Sequence, residues 1–149
     1  MKPLLLALLV VLGAHKETKL CRQIEAALFI PHPFPATGTR AHGSFEVEAG
    51  IVGDRVTYAT EFGLRVPAIV YHPLVGKAKR PALIVVNGHG GDKYSWYSVY
   101  TGILYARAGA VVLTYDPIGE GERNTQHKSG TRQHDHYVPP DENGRRMGG

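Results

Sequence analysis

An unbroken apolar strand that runs straight into a cluster of glycines constrains this chain more than anything else in it. Residues 81–91 read PALIVVNGHGG. Residues 82–86 are apolar without alternation, as in a strand covered on both faces. Residues 94–108 carry Trp96, Tyr100, Ile103 and Leu104 at helical spacing, with Asp92 or Ser95 placed to cap the start and Gly109 to stop the end. Residues 110–115, AVVLTY, form a second continuous apolar strand that ends at Asp116-Pro117. Strand, helix and strand in this order predict a right-handed parallel β-α-β crossover, with the glycines at the carboxyl end of its first strand.

Upstream the rhythm differs. Residues 55–61, RVTYATE, alternate apolar and polar side chains, Phe62-Gly63 offers a turn, and residues 64–72, LRVPAIVYH, return as the hairpin partner. Pro67 lacks a ladder donor, which predicts a position near a sheet edge. Residues 18–30 have Leu20, Ile24, Ala27 and Leu28 on one helical side, and Pro31, Pro33 and Pro35 end that helix. A connector runs from there to about Ser44. With 149 residues, 43% of them hydrophobic, the chain can build one packed domain. The expected class is α/β, an antiparallel hairpin followed by a parallel β-α-β unit. The expected division is a signal peptide at 1–14, a helix and Pro-rich connector at 15–43, and the main domain at 44–149 with a polar tail from about 119.

Charge excludes little but guides partner choice. The net charge is +4, yet the cations are scattered, and the densest group, Lys77, Lys79 and Arg80, falls in a loop between strands. A nucleic-acid surface gathers such charge into a stripe with stacking aromatics, so no nucleic-acid partner is expected. Cys21 is the only cysteine, so no internal disulfide can form. The amino end, MKPLLLALLVVLGAHKE, has an apolar run too short to span a bilayer but suited to a signal-peptide core. Secretion or a periplasmic location is the expectation, with a cytoplasmic buried helix as the alternative because Leu12 is bulky for a cleavage site.

Three kinds of chemistry compete for the glycine cluster. A phosphate-binding P-loop needs G-x-x-x-x-G-K-[ST], but Tyr94 follows Lys93 and the glycines are wrongly spaced. The dinucleotide fingerprint G-x-G-x-x-G matches at Gly88 and Gly90 and fails at Lys93, although Asp116 imitates its ribose-binding acid. An oxyanion hole fits better. Amides at a strand end beside a helix start attract negative charge, and glycines let a carbonyl approach them without a Cβ in the way. A plain strand-to-helix turn stays open on the loop alone.

The order of these elements resembles the amino-terminal half of an α/β-hydrolase, closest to the acetylxylan-esterase-like and dienelactone-hydrolase-like branches. EFGLRVPAIVYHP resembles that family's second-strand region, PALIVVNGHGG its third strand and oxyanion loop, and AGAVVLTYDPIGEGER its fourth strand and following turn. Together these stretches cover roughly residues 55–123. The family's loop often reads His-Gly-x-Gly-Gly; Asn87 takes the first histidine's place and His89 the x. The resemblance implies a backbone oxyanion donor at His89 or Gly90, with Asn87, Gly88 and Gly91 shaping the loop. It implies ester hydrolysis, a small ester or acetylated carbohydrate as substrate, and no cofactor. The family's nucleophile sits in a later G-x-S-x-G elbow, followed by an acid and a histidine. Ser44, Ser95, Ser98 and Ser129 all lack the flanking glycines. The expectation is therefore a sheet incomplete at its carboxyl end, without catalytic serine, acid or base, inactive alone and open to a complementing carboxyl-terminal half; the alternatives are a Rossmann-like nucleotide-binding module and a non-catalytic scaffold derived from a hydrolase.

Fainter patterns remain. His127, His134, Asp135, His136 and Asp141 gather in the polar tail, where a solvated loop is favoured over a metal site. Asp116 reads as a turn-stabilising carboxylate, Arg123 as a surface residue, and Trp96, Tyr97 and Tyr100 as core.

Overall fold

A computed structural model describes residues 19–60, 63–76 and 79–133. The expected signal peptide, Phe62 of the expected turn, Lys77, and His134, Asp135, His136 and Asp141 lie outside the described residues. The chain divides into two compact units, Met1–Pro35 and Ala36–Gly149. In the first, helix α1 (Lys19–Ala27) is shorter than its periodicity suggests and buries none of its residues. It ends where Phe29 takes a positive φ of 54°.

The second unit is a mixed α/β structure. Its strands are β1 (Arg40–Glu48), β2 (Ile51–Ala59), β3 (Arg65–Pro73), β4 (Ala82–Ile84) and β5 (Val111–Tyr115), with helix α2 (Trp96–Arg107) between the last two. They form one sheet in the order β1-β2-β3-β5-β4. The pairs β1/β2, β2/β3 and β3/β5 are antiparallel, and β4/β5 is parallel. The expected hairpin forms, with Ile51 opposite Pro73 and Ala59 opposite Arg65. The expected parallel unit forms too.

Strand β1 begins inside the expected connector, which ends at residue 43, and runs into the expected main domain without having been foreseen as a strand. Most of its side chains are exposed, and only Phe45 and Val47 pack on the core, so it carries little alternation. Nor is β3 near an edge, as Pro67 suggested: it is the third of five strands. The backbone explains why proline is tolerated there. The Asp116 amide donates to the Pro67 carbonyl at 3.0 Å, so Pro67 faces β5 just beyond the last paired residues, Ala68 and Tyr115. The missing N–H falls where the ladder has already ended. The Asp116 carbonyl, which Pro67 cannot reach with an amide, takes the Arg123 guanidinium at 3.3 Å instead. Arg123 is accordingly buried, not a surface residue.

Helix α2 also packs unlike its apolar spacing. Trp96 and Tyr100 are 79% and 61% exposed, while Ser98, Gly102 and Ala106 face inward. The helix is apolar nearly all round, so periodicity could not choose its inner face. Small residues win because they let the helix approach the sheet closely. The Tyr71 ring fills the space over Gly102, where a Cβ would stand 2.5 Å from a ring carbon. Ile51, Ile69, Tyr71, Ala106, Ala110 and Val112 complete this core.

Strand β4 departs from expectation as well, since its residues are exposed, not covered on both faces. The Val85 amide bonds the Leu113 carbonyl at 2.9 Å, so Ala82, Ile84 and Val86 direct their backbone groups to the open edge. Ile84 and Val86 are 65% and 75% exposed there.

Two measurements check this packing. Gly102→Ala would gain about 1 kcal/mol from helix propensity alone. Because of the Tyr71 ring it should instead lose about 1–3 kcal/mol in urea unfolding. Val86→Lys, which charges the open edge, should slow light-scattering aggregation without moving the unfolding midpoint.

Candidate functional site

The glycine cluster sits where the carboxyl ends of β4 and β5 open, the end at which ligands bind in open α/β sheets. Asn87 begins it and ties three elements together. Its Nδ2 donates to the Tyr115 carbonyl at 2.7 Å, and its Oδ1 accepts from the Ser98 hydroxyl at 2.8 Å. A carbonyl can only accept, which fixes the orientation of the amide. Asn87 thus joins the end of β4 to the end of β5 and to α2.

Gly88 to Gly91 form a tight turn closed by the Gly91 amide on the Gly88 carbonyl at 3.0 Å. Gly90, the third residue of this turn, has φ +82°, as a type II turn demands. Closing the turn uses the Gly91 amide and leaves the amides of His89 and Gly90 outside that bond. Gly91 is buried, with its Cα so close to the Tyr97 hydroxyl that a Cβ would meet it at 1.8 Å. His89 is exposed and Gly90 half-buried. Helix α2 starts only at Trp96, behind an intervening turn in which Asp92 Oδ1 accepts from the Tyr94 amide at 2.8 Å.

The support beneath the turn is a buried ion cluster. Asp116 is wholly buried; its Oδ1 accepts from the Lys93 amide at 3.0 Å, and its Oδ2 from the Lys93 ammonium at 2.5 Å and the Glu122 amide at 2.9 Å. Glu122 adds a carboxylate 2.7 Å from the same ammonium. Gly121 passes so near that a Cβ there would stand 2.6 Å from the Asp116 carboxyl carbon. Burial pulls the Lys93 ammonium down, but hydrogen bonds and charge from Asp116 and Glu122 outweigh it, and its pKa rises above the ordinary value. Burial pulls the Arg123 guanidinium down, against the opposing pull of Tyr58 and Asp116.

This arrangement bears on the alternatives. Asp116 is wholly buried and already accepts from three donors of the chain, so it is closed to a ribose. Lys93 is only 2% exposed and serves no phosphate. Of the stretch after Gly119, expected to lack structure, the first part is packed: Glu120, Arg123 and Asn124 are buried, and Gly121–Arg123 form a 3-10 turn, while residues 125–128 are exposed. Its polar letters hide a hydrogen-bonded interior. His127 is exposed, and no group of three metal-ligating side chains occurs among the described residues. A cleft of about 500 Å³ lined by Lys79, Arg80, Arg107 and Gly109 lies at the opposite, amino end of β4 and β5, away from the glycine turn.

Sequence reasoning noticed Lys93 and Asp116 separately and missed their pairing. Opposite charges on two loops leaving the same end of adjacent strands were the available signal.

No family model and no curated protein matches the chain. Among solved structures, an acetyl xylan esterase from Paenibacillus sp. R4 is similar at 16% identity and a TM-score of 0.47, over 85% of this chain and 36% of that one. The chain thus spans about a third of that enzyme's length.

Lys93→Met leaves a buried carboxylate without its cation and should cost about 3–5 kcal/mol in urea unfolding near neutral pH. The sign with pH follows from the raised pKa. The lysine's contribution is fully present below its ordinary value of 10.5 and is lost as pH rises through the higher folded value. The stability difference between wild type and Lys93→Met should therefore stay constant to about that pH and narrow above it.

Proposed function

We propose that this chain carries the oxyanion turn of a serine-type ester hydrolase, with the backbone amides of His89 and Gly90 as the donors. The observation that supports the reading most is the hydrogen bonding of the turn. Its closure by the Gly91 amide, with Gly90 at φ +82°, sets the peptide groups of His89 and Gly90 in a tight bend at the carboxyl end of a parallel strand pair. A carbonyl oxygen that gains charge as it is attacked is stabilised by such donors, each worth about 3 kcal/mol in a water-excluded site. Asn87 acts here as a brace, so the loss of the family's histidine at that position leaves the turn's shape intact.

The sheet is read as part of an α/β-hydrolase sheet and the substrate as a small ester or acetylated carbohydrate, met outside the cytoplasm. Nucleophile, acid and base are not assigned to any residue of these 149, and the three act as a unit. The chain by itself should therefore leave p-nitrophenyl acetate at the background rate, and robust turnover would contradict the assignment.

The turn offers a direct test. Acetate, whose oxygens stand in for the charged oxygen of the intermediate, should shift the His89 and Gly90 amide resonances saturably and leave Gly91 in place. Proline is favoured at the second position of a type II turn, so His89→Pro removes one donor while keeping the bend. It should weaken acetate binding at least tenfold while changing stability by less than about 1 kcal/mol. Unchanged binding in that variant would exclude the His89 amide.

A further inference from the structure

The segment after the 3-10 turn lies directly on the glycine turn. A Cβ on Gly90 would stand 2.4 Å from the Thr131 nitrogen and 2.7 Å from the Gly130 carbonyl carbon. Only a glycine fits under that backbone. Most of the bonds that hold the segment reach back to the residues following β5. The Gly121 amide donates to the Lys128 carbonyl and the Ser129 hydroxyl, both at 3.0 Å, and the Gly130 amide donates to Glu120 Oε2 at 3.1 Å. Asn124 adds its Oδ1 as acceptor for the Gln126 and Lys128 amides. A further bond crosses to the other side: the Ser129 hydroxyl donates to Asp92 Oδ2 at 2.5 Å. Asp92 immediately follows the glycine turn, so this contact joins the two loops over Gly90.

We infer that residues 128–131 form a strap over the candidate oxyanion turn, latched by the Ser129–Asp92 hydrogen bond, and that a carbonyl reaches the Gly90 amide when this latch opens. What the strap controls rests on the oxyanion reading; the strap itself rests on the contacts above. Its composition suits such a role. Gln126, His127, Lys128, Ser129, Gly130 and Thr131 include no large apolar side chain, and residues 125–128 are exposed. Lifting them uncovers polar groups that water can satisfy and leaves the core of Ile69, Tyr71 and Val112 undisturbed. The latch is an O–H···O⁻ bond, charge-assisted like the Gly130–Glu120 contact, but it reaches the glycine-turn side and not the residues following β5. Ser129 and Asp92 are positioning residues in this scheme and touch no reacting atom.

Amide hydrogen exchange on the full chain, read residue by residue, tests the strap. Ser129→Ala should raise exchange at Gly90 at least tenfold and speed tryptic cleavage after Lys128, with Ile69 and Val112 unchanged. Ser129→Thr, which restores a hydroxyl, should return both toward wild type. Unchanged exchange at Gly90, or a rise shared with Ile69 and Val112, would overturn the strap. Acetate titration separates the two readings. If Ser129→Ala saturates at several-fold lower acetate than wild type, the strap guards the turn as inferred. If acetate moves the His89 and Gly90 amides equally in both proteins, the strap is wrong and the oxyanion reading stands. If Gly90 is bared in the variant but acetate moves neither protein's amides, the oxyanion reading falls, and the gating role with it.

Discussion

A buried carboxylate met by a buried ammonium organises this structure. Asp116 leaves β5 at zero exposure, and Lys93 comes to it from the loop after β4. Neither charge could be taken out of water alone without a penalty of several kcal/mol. Each therefore makes the other's position obligatory. Since Asp116 also accepts the amides of Lys93 and Glu122, it fixes backbone on both sides of the opening between the strands. The glycine turn is held between this pair and Asn87. Arg123, taking the carbonyl that Pro67 cannot serve, closes the cluster against the sheet.

Around that cluster the sheet is covered unevenly. Helix α2 sits close on β3 and β5 because its inner face is Ser98, Gly102 and Ala106, and Tyr71 fills the shallow gap. Its large aromatics are consequently turned outward. The parallel pair ends at β4, whose outer backbone row and Ile84 and Val86 face no strand among the described residues.

Much of this was legible in the sequence, and the failures have physical causes. The hairpin and the β-α-β unit were readable because alternation and continuous apolar runs report directly on which faces are buried. The inner face of α2 was not, because close approach selected small residues over the apolar ones that define a stripe. Strand β1 escaped because an edge strand buries too little to leave a pattern. Pro67 misled because its missing amide happens to face the end of a ladder, which sequence cannot locate. The polar stretch from Gly119 looked unstructured since hydrogen bonds between the buried side chains of Glu120, Arg123 and Asn124 and the backbone leave the same composition as solvated loop. At the site, glycines marked the turn, but only the fold showed that the Gly91 amide closes it and that Gly130 and Thr131 press on Gly90.

The functional reading therefore depends on a rigid base beneath the glycine turn, and the rigidity depends on the Lys93–Asp116 pair acting as one unit. A double-mutant cycle in urea unfolding tests that coupling most directly, with Lys93→Met, Asp116→Leu and the combined variant. The account predicts strong non-additivity: each single change is severely destabilising, and the double variant, which leaves no buried charge unpaired between them, recovers at least about 2 kcal/mol relative to their sum. Losses that simply add would mean that the two groups stand independently, and the base proposed for the turn would not exist.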